Sequence, residues 1–144
     1  MKAVDQTNIE PGSGNCLQAC LASIFELPID SVPNFFLHGT DWLEALDKWL
    51  DVRFGLSVVL LKFHREPGFT RPRGWCIASG PTSGYPKHSV VWRDGSILHD
   101  PHPERPGLHH LQDLLVITVP DPAAIARSSD RPLQSRAGGA PSNL

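Results

Sequence analysis

Cysteine is scarce in this chain: three among 144 residues, Cys16, Cys20 and Cys76. So small and odd a number excludes a secreted disulfide scaffold, which carries more cysteines in even count. Free thiols in a reducing compartment are the better expectation. The question then becomes chemical: reactive thiolate, or small buried hydrophobe? An excess of one charge is lacking too. Lys and Arg number 13 against 15 Asp and Glu, for a net charge of -2. Nothing there favours a nucleic-acid partner, which calls for a basic stripe. No apolar run approaches the roughly 20 residues that span a bilayer, and residues 1–6 lack the apolar centre of a signal peptide. The expected compartment is the cytoplasm, with no membrane partner.

What is present is ordinary globular composition, 40% hydrophobic and 19% charged, of a length that suits one core. The expected domain covers residues 1–125. Few large apolar residues follow Pro120, and 126–144 read as a disordered tail. Leu17, Cys20, Leu21, Ile24 and Phe25 recur at helical spacing, predicting a helix over 15–26 with Asn15 as N-cap and Leu27-Pro28 as its end. A second helix is predicted from Thr40 or Asp41 to about residue 52. Its apolar side is Trp42, Leu43, Leu46, Trp49 and Leu50, and Asp41 with Glu44 resembles a capping box. Strands are predicted at 57–63, 74–79, 88–92, 96–100 and 115–119. Helices first and strands afterwards predict an α+β domain, with N-terminal helices packed on an antiparallel sheet.

Cys16 falls in the first turn of the first predicted helix. The positive end of the helix dipole and unpaired N–H groups there stabilise a thiolate. The same N–H groups can receive an oxyanion when the thiolate attacks a carbonyl. His88 and Asp100 flank two short apolar strands joined by Arg93-Asp94-Gly95. Read as a three-residue loop, that turn sets Trp92 opposite Ser96, Val90 opposite Leu98 and His88 opposite Asp100. The carboxylate then fixes the imidazole tautomer and leaves the other ring nitrogen for a thiol. A two-residue turn at Asp94-Gly95 would shift the pairing by one and spoil it. Cysteine, histidine and carboxylate in this chain order form a thiol-hydrolase layout.

The run from Gly14 through Asn15, Cys16, Leu17, Gln18, Ala19 and Cys20 to Ile24 resembles the active-site helix of papain-like cysteine peptidases. It is most similar to the bacterial branch that trims double-glycine leaders from bacteriocin precursors. The segment Lys87-His88-Ser89-Val90-Val91, with Gly95 and His99-Asp100-Pro101, is similar to the histidine and aspartate strands of that superfamily. The resemblance implies a papain-like fold and a Cys16–His88–Asp100 triad cleaving a peptide, isopeptide or amide bond through an acyl-enzyme. It implies a peptide or protein substrate and no cofactor, and it assigns Cys20 to the helix core. Relatives carry a glutamine about six positions before the cysteine to complete the oxyanion hole. Here that position is Glu10, whose carboxylate would repel an oxyanion. Gln6, delivered by the Pro-Gly-Ser-Gly loop, is the preferred substitute, with Asn15 as a further candidate.

Two other classes stay open. His99, Asp100, His102, His109 and His110 offer ligands for a metal-dependent hydrolase, although prolines 101, 103 and 106 make that region a loop. Cys16 with Cys20 is a weaker zinc pair. A papain-like domain can also serve as a non-catalytic binding module. Trp75 and Trp92, the stretch 69–73 and the loop 80–86 are candidates to border a cleft.

Overall fold

In the computed structural model, residues 1–63 and 72–123 are described. The expected domain end at 125 and the predicted tail at 126–144 lie outside them. Two helices, α1 (Cys16–Phe25) and α2 (Trp42–Phe54), precede five strands: β1 (Ser57–Lys62), β2 (Trp75–Thr82), β3 (Tyr85–Arg93), β4 (Ser96–His99) and β5 (Asp113–Thr118). The strands form one antiparallel sheet in the order β1-β5-β2-β3-β4. The α+β class with helices on an antiparallel sheet is therefore correct. No helix among the described residues is long and apolar enough to cross a membrane.

The helices cover one sheet face. Leu17, Cys20 and Leu21 of α1 and Leu46 and Leu50 of α2 meet Ile77, Val91 and Leu115 there. An aromatic cluster extends this layer, with Trp49 against Phe25, Phe35 and Phe54 at centroid distances of 6.1, 5.7 and 5.4 Å. On the opposite face Cys76, Ala78, Val90 and Leu114 are covered by Leu108 and Leu111 from the segment between β4 and β5. Cover on both faces explains why β2 is almost continuously buried instead of alternating.

Several expectations need correction. Neither Asn15 nor Asp41 makes a side-chain cap hydrogen bond, so the capping box at Asp41 and Glu44 does not form. The loop expected at 80–86 is mostly strand. β2 and β3 run on to a two-residue turn at Ser83-Gly84, and Pro86 is tolerated because it falls at a register irregularity. Trp75 and Trp92 pack on the two cores and do not border the cleft described below. Of the stretch 69–73 only Pro72 and Arg73 are described, and they lie beside the Asp94-Gly95 turn.

That turn has two residues, both at positive φ (50° and 95°), the form that suits a tight hairpin. The predicted pairing of Trp92 with Ser96 is therefore wrong: Arg93 pairs with Ser96 and Trp92 with Ile97. Left alone, this register would send His88 and Asp100 to opposite faces. A bulge repairs it. Val91 pairs with His99, so Leu98 is the extra residue, and the chain beyond returns to the parity that sets His88 and Asp100 on one face.

Gly80 in β2 is crossed by the segment that leads into β5. A Cβ built there would lie 2.0 Å from the His110 carbonyl oxygen, while the Gln112 N–H donates to the Ser79 carbonyl at 2.8 Å. Gly80→Ala is expected to destabilise the fold by about 2 kcal/mol or more, as overpacking against backbone does. Urea unfolding of the two proteins checks it, and an unchanged midpoint would contradict this crossing.

Candidate active site

Cys16 is the first residue of α1, so its backbone N–H has no acceptor within the helix. Packing of α1 on β3 brings this helix end to His88 and Ser89. Cys20, fully buried one turn on, donates its thiol to the Ser89 carbonyl at 3.5 Å. Its expected place in the helix core is what the structure has.

His88 donates from Nε2 to Asp100 Oδ1 at 2.7 Å, with both side chains buried. That leaves Nδ1 as the ring nitrogen available to Cys16. Asp100 accepts from two further donors: the His102 N–H reaches Oδ1 at 2.9 Å and the Gly107 N–H reaches Oδ2 at 2.7 Å. Burial opposes its charge, but the bonds from His88, His102 and Gly107 prevail and hold the carboxyl below its usual range.

The same contest runs along the whole chain of groups. Burial works against a charged His88, yet Asp100 and Cys16 together lift its pKa to about 9. Burial likewise works against a Cys16 thiolate. The imidazole's hydrogen bond and charge, aided by the backbone and hydroxyl of Ser89, pull the thiol below its ordinary value all the same. The other two thiols go the opposite way. Burial raises Cys20 far above the usual thiol range, and burial with the Asp94 charge raises Cys76.

Gln6 is buried in the same cleft, a cavity of about 250 Å³ lined by Gln6, Cys16, Phe36, Tyr85, His88 and His102 among others. Its backbone N–H donates to the Pro101 carbonyl at 3.0 Å, and one side-chain N–H donates to the Asn8 carbonyl at 2.9 Å. Nε2 keeps a second hydrogen for the cleft. The ten-residue spacing from Gln6 to Cys16 is a loop excursion. Asn15 closes that loop with its N–H on the Asn8 carbonyl at 3.1 Å and its Oδ1 on the N–H groups of Thr7 and Asn8 at 3.1 and 2.9 Å. The Asn15 amide is fully engaged, its Nδ2 going to Thr7 Oγ1 and Gln18 Oε1. It is thereby removed from the oxyanion candidates. Glu10 lines the cleft mouth with an exposed side chain.

Cys16, His88, Asp100 and Gln6, the residues singled out from sequence, thus converge. The histidines proposed as metal ligands disperse. His99 Nε2 binds the Val4 carbonyl at 2.9 Å, His109 contacts Ser83 at 3.4 Å, and His102 stays in the cleft. Among the described residues no three His, Cys, Asp or Glu side chains gather as a metal would require. Sequence reasoning missed the clamp of Arg105 on Asp5 at 2.6 Å and on the carbonyls of Asp100 and His102. An arginine a hundred residues from its partner leaves no local signal. It also missed Ser89, which stands next to His88 and carried no distinguishing pattern.

Compared with known proteins, the chain matches no family model, no curated protein and no solved structure.

Alkylation by iodoacetamide, followed against pH and located by peptide mass spectrometry, tests the electrostatics. Cys16 should react fastest, with an apparent pKa below the roughly 8.5 of a free thiol, while Cys20 and Cys76 stay inert in the folded protein. His88→Ala should raise the Cys16 value by removing the cation that lowers it. An ordinary Cys16 that ignores His88 would refute the coupling.

Proposed function

We propose that this chain is a papain-like thiol hydrolase that cleaves a peptide, isopeptide or amide bond in a peptide or protein. The observation that carries this reading is the buried Asp100–His88 pair beside a thiol at the start of a helix. Nε2 is committed at 2.7 Å and Nδ1 is left for Cys16. With His88 titrating near 9 and Cys16 lowered, a thiolate–imidazolium pair forms before substrate arrives.

The thiolate attacks the carbonyl carbon, and the oxyanion is received by the Cys16 N–H and the second Nε2 hydrogen of Gln6. His88 passes its Nδ1 proton to the leaving amine, and the C–N bond breaks to give the acyl-enzyme. Water then gives a proton back to Nδ1 as it attacks the thioester, which releases the acid and restores the pair. Asp100 keeps the ring oriented throughout and stays ionised. A reducing compartment such as the cytoplasm suits three unpaired cysteines.

Cys16→Ala should abolish turnover with the fold intact. Gln6→Ala should lower kcat by about 10²-fold or more, the usual cost of one oxyanion donor, with little change in Cys16 alkylation. The profile of kcat/KM against pH should rise as Cys16 ionises. It should then fall as pH climbs through about 9, where His88 gives up the proton owed to the leaving group. Turnover surviving in Cys16→Ala would overturn the mechanism.

A further inference from the structure

Three successive residues of the opening segment are each tied to a different member of the stretch 99–105. The Val4 carbonyl accepts from His99 Nε2 at 2.9 Å, and the Gln6 N–H donates to the Pro101 carbonyl at 3.0 Å. Between them Asp5 takes the Arg105 guanidinium as a fork, Nη1 on Oδ1 at 2.6 Å and Nη2 on Oδ2 at 3.0 Å. The same Nη1 donates to the carbonyls of Asp100 and His102. One guanidinium thus joins the residue before Gln6 to the main chain of the residue that orients His88.

Arg105 holds this place against its backbone preference. Its φ is 51°, in the left-handed region that an L side chain disfavours and glycine adopts freely. A turn needing only its shape would be better served by glycine, so the side chain is what Arg105 supplies. An exposed ion pair contributes little to stability, and both partners are exposed. Its value is geometric, because a two-point fork fixes orientation as well as distance. The bond from Gln6 N–H to Pro101 is a single point about which the main chain can pivot. The fork one residue earlier removes that freedom.

We propose that Asp5 and Arg105 are positioning residues whose paired side chains hold the segment Val4-Asp5-Gln6 in the orientation that presents the Gln6 amide to the oxyanion. This rests on the thiol-hydrolase reading and adds to it what sets the oxyanion donor. Neither residue touches the substrate; both act through Gln6.

Two reagents report the oxyanion site apart from thiol reactivity. With p-nitrophenyl acetate the Cys16 sulfur bonds to the carbonyl carbon and an electron pair moves onto the carbonyl oxygen. Its return breaks the C–O bond and releases p-nitrophenolate, and water then hydrolyses the acetyl thioester. Iodoacetamide reacts at a saturated carbon in one step, iodide leaving as the S–C bond forms, with no oxyanion. The ratio of acylation to alkylation rate at Cys16 is the readout.

The ratio should fall about tenfold in Asp5→Ala, within the loss of about 10²-fold or more that one oxyanion donor carries. In a Gln6→Ala background the same substitution should change it by less than about twofold, since the donor it positions is gone. The pH profile of Cys16 alkylation should stay that of wild type in Asp5→Ala. Arg105→Gly relieves the left-handed backbone, so it should lower the ratio like Asp5→Ala while keeping the urea midpoint. An unchanged ratio in either single variant, or equal falls with and without Gln6, would overturn the proposal. If Gln6→Ala lowers the ratio and Asp5→Ala does not, this inference fails alone. A Cys16 that is alkylated but never acylated takes the thiol-hydrolase reading with it.

Discussion

A carboxylate taken out of water must be repaid by donors, and Asp100 is where this structure meets that demand. Effective desolvation of one ion costs several kcal/mol, and three N–H groups answer it: His88 Nε2, the His102 backbone and the Gly107 backbone. Each answer also does something for the cleft. The first fixes the His88 ring and, together with Cys16, lifts its pKa to about 9. The second and third fold the chain after β4 back on itself, which sets the His102 ring against His88 and Tyr85. The lowered thiol of Cys16 lies at the end of this sequence of charges, since it depends on the imidazolium that Asp100 sustains.

The loop around Asp100 is joined to the chain's opening segment. Gln6 N–H meets the Pro101 carbonyl, His99 meets the Val4 carbonyl, and Arg105 spans Asp5 and the carbonyls of Asp100 and His102. An exposed ion pair such as Arg105–Asp5 contributes little by itself. Here it closes a network whose other members are buried or half-buried, and it joins the stretch that carries Gln6 to the loop around Asp100. The cleft thus has one wall from the segment before α1 and another from the hairpin. The helix end that carries Cys16 lies between them.

Periodicity and composition made the helices and all five strands visible, because one-sided burial imprints a 3.6- or 2-residue pattern on neighbouring residues. They failed at strand ends. The stretch 80–86 read as loop, yet most of it is strand, and Pro86 is accommodated at an irregularity in β2–β3 pairing. At the helix starts they placed Asn15 and Asp41 at the N-cap positions these residues occupy, but neither side chain makes the capping hydrogen bond. Asn15 is drawn off by Thr7 and Asn8, a competition that spacing cannot reveal.

Sequence alone determined the α+β class, the helix that begins at Cys16 and the hairpin that holds His88 and Asp100, since each follows from residues close together in the chain. It also singled out Gln6, though only through a resemblance. Tertiary structure decided whether these residues meet. The hairpin turn is of the kind that should have separated His88 from Asp100, and the extra residue at Leu98 restored them to one face. The joining of Gln6 to Pro101 and the clamp of Arg105 on Asp5 likewise arise from segments about a hundred residues apart. Local propensity carries no record of such contacts, because they exist only once the core has closed.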